Sequence, residues 1–62
     1  MWSVARSRPD GRIEFVKGLV PGGGVEITVK AQQAMMFTSL VAAQSLAKEL
    51  DGDWFTIGWR ET

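Results

Sequence analysis

The stretch "WSVARSRPDGRIEFVK", residues Trp2 to Lys17, is the clearest indication of the fold. It contains two runs in which side chains alternate between two faces, and a turn sequence lies between them. In the turn, Pro9 presets φ at the first position, Asp10 tolerates the second, and Gly11 accepts a positive φ without steric cost. Alternation with a period of two is typical of strands, and a three-residue loop that ends in glycine joins antiparallel ones. The sequence therefore predicts a β-hairpin over residues 2–17.

After the hairpin, the sequence contains one more run in which apolar and polar residues alternate, and the alternation then ends. Residues 18–24 are rich in glycine, which predicts a flexible loop. Residues 25–30, "VEITVK", predict a third strand with one face in solvent. Residues 31–37, "AQQAMMF", lack glycine and proline, and we interpret them as one helical turn followed by a short extended link. A continuous helix over residues 31–50 is the alternative.

A helix is predicted over about residues 39–50. Thr38 and Ser39 are good N-caps, and the residues that follow favour the helical conformation. At 100° per residue one side of this helix is apolar, and it is formed by Leu40, Ala43, Leu46, Ala47 and Leu50.

After the helix, "DGD" at residues 51–53 ends the periodicity, since Gly52 can take the left-handed conformation. Residues 54–60 alternate as a last strand, with Trp54 and Phe55 on opposite faces. The order β-β-β-α-β predicts a single α+β domain over residues 1–62, a small antiparallel sheet with one helix packed on one face. The strand residues expected to share its core are Ile13, Phe15, Val25, Ile27, Val29, Phe55, Ile57 and Trp59.

The glycine run Gly22–Gly24 raises the question of a phosphate-binding loop. A P-loop requires lysine and then serine or threonine directly after its second glycine, at the opening of a helix. Counted from Gly18 the glycine spacing is right, but Gly24 and Val25 occupy the lysine and hydroxyl positions, and a strand is predicted to follow. We interpret the glycines as a flexible connector between two strands.

The charge balance and the composition restrict the classes of binding partner and the cellular compartment that we expect. Seven basic and seven acidic residues cancel, whereas proteins that neutralise nucleic-acid phosphates usually carry a basic excess. No apolar run approaches the roughly 20 residues that span a bilayer, so no membrane association is expected. The chain contains no cysteine, and its N-terminus lacks the order of a signal peptide. We expect a complete, cytoplasmic chain.

The residue types that most often carry catalysis are missing. Without histidine or cysteine, the commonest general base, the thiol nucleophile and the usual metal ligands are lacking. The carboxylates lie mostly in predicted turns or on wet strand faces, without the apolar cover that a catalytic acid needs. The sequence therefore predicts no enzymatic activity, no metal site and no cofactor.

Exposed aromatic residues point instead to a protein partner. One helix covers one face of a small sheet, so the three tryptophans cannot all be buried, and exposed tryptophan is enriched where partners bind. Val41 lies on the polar side of the predicted helix, away from its apolar stripe. The candidate partner-binding residues are Trp2, Val41, Gln44, Lys48, Trp54 and Arg60.

Two alternatives concern the same aromatic residues. Trp54 could simply fold over the edge of the sheet. The strand face could also stack nucleic-acid bases through aromatic and arginine side chains, although two glutamates are predicted on the same side. The side chains for that second alternative are Trp2, Arg12, Trp54 and Arg60.

The central stretch is similar to a pattern found in very small phage- and prophage-encoded proteins of unknown function. The matching residues are Val4, Arg6, Asp10-Gly11-Arg12, Ala34, Phe37, Ser39, Ala43, Ala47 and Leu50. The resemblance implies no catalytic residue. It implies a protein that acts by occupying a surface of a host protein, as anti-CRISPR proteins and host-enzyme inhibitors do.

Together, the residues and the resemblance predict a non-enzymatic protein-binding module that inhibits or redirects a host protein. A small structural homo-oligomer is the first alternative, since domains of this size without disulfides or metals often gain stability by association. A weak nucleic-acid-binding domain is the second alternative.

Overall fold

The predicted hairpin is formed by β1 (Trp2–Ser7) and β2 (Ile13–Leu19) in a computed structural model, which describes residues 1–60. Gly11 has the expected positive φ of 89°. Its N–H donates to the Arg8 carbonyl at 2.9 Å, and the Arg8 N–H donates to the Arg12 carbonyl at 2.8 Å. These two bonds close the three-residue loop, so the turn sequence does what its backbone preferences predict.

Four strands make one antiparallel sheet in the order β3-β2-β1-β4. Strands β3 (Val25–Thr28) and β4 (Phe55–Gly58) are its two edges. The helix α1 (Leu40–Glu49) packs on β1 and β4. This confirms the predicted α+β class.

Strand β2 is longer than predicted, because a β-bulge lies between Val16 and Gly18. After the bulge the strand still pairs with β3, with Gly18 opposite Glu26 and Leu19 opposite Val25. The loop predicted over residues 18–24 therefore begins only at Val20.

The glycine run forms a hydrogen-bonded turn rather than the flexible connector that the sequence predicts. Gly22, Gly23 and Gly24 have φ angles of 90°, 117° and 87°. The Val20 N–H donates to the Gly24 carbonyl at 3.2 Å, and the Gly23 N–H donates to the Val20 carbonyl at 3.1 Å. Side chains other than glycine rarely adopt three successive positive φ angles, so the composition is required by the turn.

The other element bounds differ from the prediction by a few residues. Strand β3 ends at Thr28 instead of residue 30, because the Thr28 hydroxyl accepts the Lys30 N–H at 3.1 Å and turns the chain. The helix occupies Leu40–Glu49 instead of residues 39–50, since Ser39 is its cap, accepting the Ala42 N–H at 3.3 Å. Strand β4 occupies Phe55–Gly58 instead of residues 54–60, because its only partner, β1, begins opposite Gly58.

Residues 31–37 form a connecting segment, called the link below. A single 3₁₀ turn at Ala31–Gln33 is followed by extended residues, as predicted, so the alternative of a continuous helix over residues 31–50 is wrong. The Met35 N–H donates to the Val16 carbonyl at 2.8 Å. Phe37 and Trp2 exchange backbone hydrogen bonds of 2.8 and 2.7 Å. The link therefore pairs with β1 and β2 beyond the point where those strands stop pairing with each other.

The core is split between the two faces of the sheet, which corrects the prediction of one shared core. On the helix-side face, Val4 and Val16 are fully buried with Ala43 of α1, and Leu46, Ala47 and Leu50 pack around them. On the opposite, link-side face, the buried residues are Ala5, Phe15 and Ala34. Of the predicted core, Val25 packs on the helix side, whereas Ile13, Ile57 and Trp59 pack on the link side.

Three residues of the predicted core, Ile27, Val29 and Phe55, are exposed. The prediction failed because Val16 lies opposite Ile27 and Phe15 lies opposite Thr28, so Ile27 and Phe15 are on different faces of the sheet. It also assumed that the helix alone covers the sheet, whereas the link covers the second face.

Candidate functional site

An open groove of about 330 Å³ lies between α1 and the edge strand β4. One wall is formed by Gln44, Ala47 and Lys48, and the other by Trp54, Phe55 and Thr56. Helix residues three and four positions apart share a side, which brings the first three together. Trp54 and Thr56 are two positions apart in an extended chain, so their side chains share the helix-side face. The groove thus unites three of the six predicted residues: Gln44, Lys48 and Trp54.

The Trp54 side chain is held in place at one end of the groove. Its indole N–H donates to the Asp51 carbonyl at 2.9 Å. The Arg6 guanidinium lies 4.6 Å from the centre of its ring, within the range of a cation–π contact. Trp54 is half-buried against the helix-side core, which bears out its placement on the opposite face from Phe55. A tryptophan fixed in this way gives the groove a firm wall.

The arginine beneath Trp54 is itself oriented by a carboxylate. Arg6 Nε donates to Glu14 Oε1 at 2.9 Å, and Arg8 Nε lies 3.6 Å from the same oxygen. The side chains of Arg6 and Glu14 are about three-quarters buried, so this pair is screened less than a surface ion pair. The network explains why Arg6 stays against the Trp54 ring.

The outer side of α1 continues the surface beyond the groove. Val41 is 69% exposed, and it precedes Gln44 by three positions, so the two side chains are neighbours on the helix. This confirms the predicted exposure of Val41. We call Val41, Gln44, Lys48 and Trp54, with the groove, the α1–β4 surface.

Trp2 and Arg60, the other two predicted residues, lie outside the groove. Trp2 pairs with Gly58, and its ring covers that glycine so closely that a Cβ there would lie 2.9 Å from the ring. Trp2 is half-buried and packs against the helix-side core. Arg60 is exposed at the same end of the sheet.

The base-stacking alternative requires Trp2, Arg12, Trp54 and Arg60 to share a surface, and the structure separates them. Trp2 and Arg60 lie at the end of the sheet where β1 begins, and Arg12 and Trp54 lie at the hairpin end. Arg12 Nε is 3.6 Å from Asp10 Oδ2, its neighbour in the turn.

Three residues that line the groove were missing from the predicted site: Ala47, Phe55 and Thr56. Thr56 could have been found, because strand alternation places it on the same side as Trp54. Ala47 was assigned to the buried stripe of the helix and Phe55 to the core. No feature of the sequence indicates that Ala47 and Phe55 line a groove, because the position of the groove depends on where the helix crosses the sheet.

Among the described residues that line the groove, Lys48 is charged and the others carry apolar or uncharged polar side chains. Within residues 1–60, no three histidine, cysteine, aspartate or glutamate side chains are grouped as metal ligands would be. Across the same residues, no helix has the length and apolar character needed to cross a membrane.

Comparison of the chain with protein-family models, with curated proteins and with solved structures found no match.

Proposed function

We propose that this chain is a non-enzymatic protein-binding module whose contact surface is the α1–β4 surface. The observation that carries the proposal is the groove, which joins residues of α1 to a fixed tryptophan, and the same helix carries the exposed Val41. Interfaces concentrate their binding energy in a few residues, and tryptophan in a formed pocket is the side chain most enriched among them.

The size of the molecule agrees with this assignment. Its accessible surface is 4446 Å². A typical interface takes about 800 Å² from each partner, roughly a fifth of that surface. A contact of that size would extend from the groove across the outer side of α1 to Val41. The similarity to small phage-encoded proteins makes a host protein one class of partner to test.

The test is affinity capture with the purified chain as bait and an extract of the organism that encodes it. We expect Val41→Asp and Lys48→Glu each to weaken retention of a protein by about tenfold, as expected when an interface position is changed to a charge of the wrong sign. Val41→Asp places an acid in the first turn of α1, where it favours the helix, so its effect cannot come from helix loss.

The matched control is Val29→Asp, the same change at a valine that is 57% exposed and lies outside α1 and β4. Retention by the wild type and by Val29→Asp, together with loss in the two surface variants, supports the proposal. The proposal is wrong if the chain retains no protein and is itself monomeric in solution, or if all four chains retain the same proteins equally. Far-UV circular dichroism of each variant checks that the fold is kept.

A further inference from the structure

We infer that the partner at the α1–β4 surface is a second copy of this chain, paired antiparallel along the open edge of β4. This inference rests on the proposed function and names its partner. The resulting dimer has two-fold symmetry and a continuous eight-stranded sheet.

The backbone of β4 presents alternate residues to the open edge. The Trp59 N–H donates to the Met1 carbonyl at 2.8 Å, which makes Met1 and Trp59 a hydrogen-bonded pair. Hydrogen-bonded and non-hydrogen-bonded pairs alternate along antiparallel strands. Ile57 and Phe55 therefore also bond to β1, and the N–H and C=O groups of Thr56 and Gly58 point away from it. An edge of this kind is a template for another strand.

Aligning these outward groups selects the register. Thr56 of one copy pairs with Gly58 of the other, which centres the two-fold axis on Ile57. On the link-side face, Phe55 then lies opposite Trp59 of the second copy, and the two Ile57 side chains meet. Aromatic and β-branched cross-strand pairs are the combinations that stabilise sheets. A register centred on Thr56 would instead place Trp59 opposite Asp53 of the second copy.

The same register accounts for side chains that the monomer leaves unexplained. Phe55 is 40% exposed although it begins a strand, and pairing covers it with an indole ring. On the helix-side face, Trp54 lies opposite Arg60 of the second copy, which gives that exposed arginine an aromatic partner.

The helices fit this arrangement as well. Because α1 packs on β1 and β4, its axis lies near the gap between them. Strands are about 4.8 Å apart, so the two helix axes would lie about 10 Å apart across the joined edges. Packed helices in proteins are separated by about 8–10 Å. The α1 side that meets the other helix carries the groove-lining residues Gln44 and Lys48.

The opposite edge of the sheet lacks these features. Strand β3 carries the charge of Glu26, and its neighbour β2 contains the bulge. Charges and bulges are the devices that protect sheet edges from association. The four residues of β4, "FTIG", contain no charge and no proline. The edge that pairs is therefore β4.

The first experiment measures molar mass by sedimentation equilibrium over a wide dilution series. We expect the molar mass of the wild type to approach twice 6.8 kDa at high concentration. The Phe55→Lys dimer should dissociate at concentrations about tenfold higher or more, because the substitution removes two symmetry-related cross-strand pairs from a two-fold dimer. The matched control is Ile27→Lys on β3, at a residue that is 38% exposed, and it should associate as the wild type does. A monomer at every concentration, or equal effects of the two lysines, overturns the inference.

The second experiment tests the register and uses the absence of cysteine from the chain. In the proposed dimer the two residues 57 form a non-hydrogen-bonded pair with Cα atoms about 4.5 Å apart, which is within the range of a disulfide. Ile57→Cys should therefore form a covalent dimer on mild oxidation, and Ile27→Cys should stay monomeric under the same conditions. A dimer that does not cross-link through residue 57 contradicts the register.

The outcomes separate this inference from the proposed function. If the purified chain is monomeric while another protein is captured and lost in Val41→Asp, the protein-binding proposal stands and the second copy is the wrong partner. An extended segment of that other protein would then be the strand that occupies the β4 edge.

Discussion

The two faces of the sheet are covered by different kinds of structure. The helix-side face is closed by a regular element, α1, whose Ala43 is fully buried against Val4 and Val16. The link-side face is closed by the link, which contains one 3₁₀ turn and otherwise extended residues. There the buried apolar side chains are Ala5, Phe15 and Ala34, and the Phe15 and Trp59 rings lie 6.0 Å apart.

The difference shows how a short chain can cover both sides of a sheet. The small side chain of Ala43 lets the helix sit close to the strands, and larger side chains such as Trp2 and Leu46 pack around that contact. The link cannot present a continuous apolar stripe, and it is held by specific hydrogen bonds to β1, β2 and Thr28 instead. We expect the link-side face to depend on a few large residues and individual hydrogen bonds.

The largest effect is expected from Phe15→Ala on the link side, compared with Val16→Ala on the helix side. Truncating a buried phenylalanine costs about 3–5 kcal/mol, whereas removing two methyl groups from a buried valine costs about 2 kcal/mol. The two residues are adjacent in β2 and point to opposite faces, so the comparison tests the two faces at one point of the chain. Urea unfolding of both variants measures the difference in free energy of unfolding.

A chain of 62 residues has a free energy of unfolding of roughly 3–9 kcal/mol, so Phe15→Ala should remove about a third of it or more. If Val16→Ala destabilises the chain more than Phe15→Ala does, the link-side cluster is not a core.

An intermediate effect is expected from the hydrogen bond between the Trp59 indole N–H and Ser3 Oγ, which is 2.8 Å long. Ser3 is fully buried. Trp59→Phe leaves the hydroxyl of this serine without its indole donor, and Ser3→Ala leaves the indole N–H without an acceptor, each at a cost of about 1–3 kcal/mol. The double variant should cost less than the sum of the two, with a coupling of about 1 kcal/mol.

A double-mutant cycle by thermal or urea unfolding measures that coupling. Additive costs would show that the bond contributes nothing to holding the end of the chain against β1.

The smallest effect is expected from Thr28→Val, which removes the hydroxyl that accepts the Lys30 N–H and donates to Gln33 Oε1 at 2.9 Å. We expect a loss of about 1 kcal/mol, typical of one hydrogen-bonding side chain. Amide hydrogen exchange gives a local measurement, because the link is anchored by the Met35 N–H. Exchange at Met35 should become faster in this variant.

Ser39→Ala is the matched control on the helix side, since it also removes one hydroxyl that accepts a backbone N–H. It should cost about 0.5–1 kcal/mol and speed exchange at the start of α1 instead of at Met35. Equal acceleration at both positions in both variants would mean that the two faces unfold together.

Much of the fold could be predicted because its signals are local. The turn at Gly11, the cap at Ser39 and the positive φ of 111° at Gly52 were each predicted from a few neighbouring residues, and the structure confirms them. Backbone preferences of this kind act over three or four positions, so they are readable in one sequence.

The candidate site could be predicted only in part. Gln44 and Lys48 follow from helical spacing, and Trp54 from strand alternation. Neither pattern indicates that α1 packs beside β4. That packing brings the three side chains together around a groove. The prediction placed Trp2 with these residues, but the ring of Trp2 packs over Gly58.

Local patterns in the sequence are enough to predict a tight hairpin, a capped helix and a last strand that directly follows Trp54. The order β3-β2-β1-β4, the link over the second face and the groove arise only in the assembled fold. The two sets of features differ in how far apart along the chain the contacting residues are. A turn joins residues three apart, whereas the bond between Ser3 and Trp59 joins residues 56 apart and exists only once the sheet has assembled.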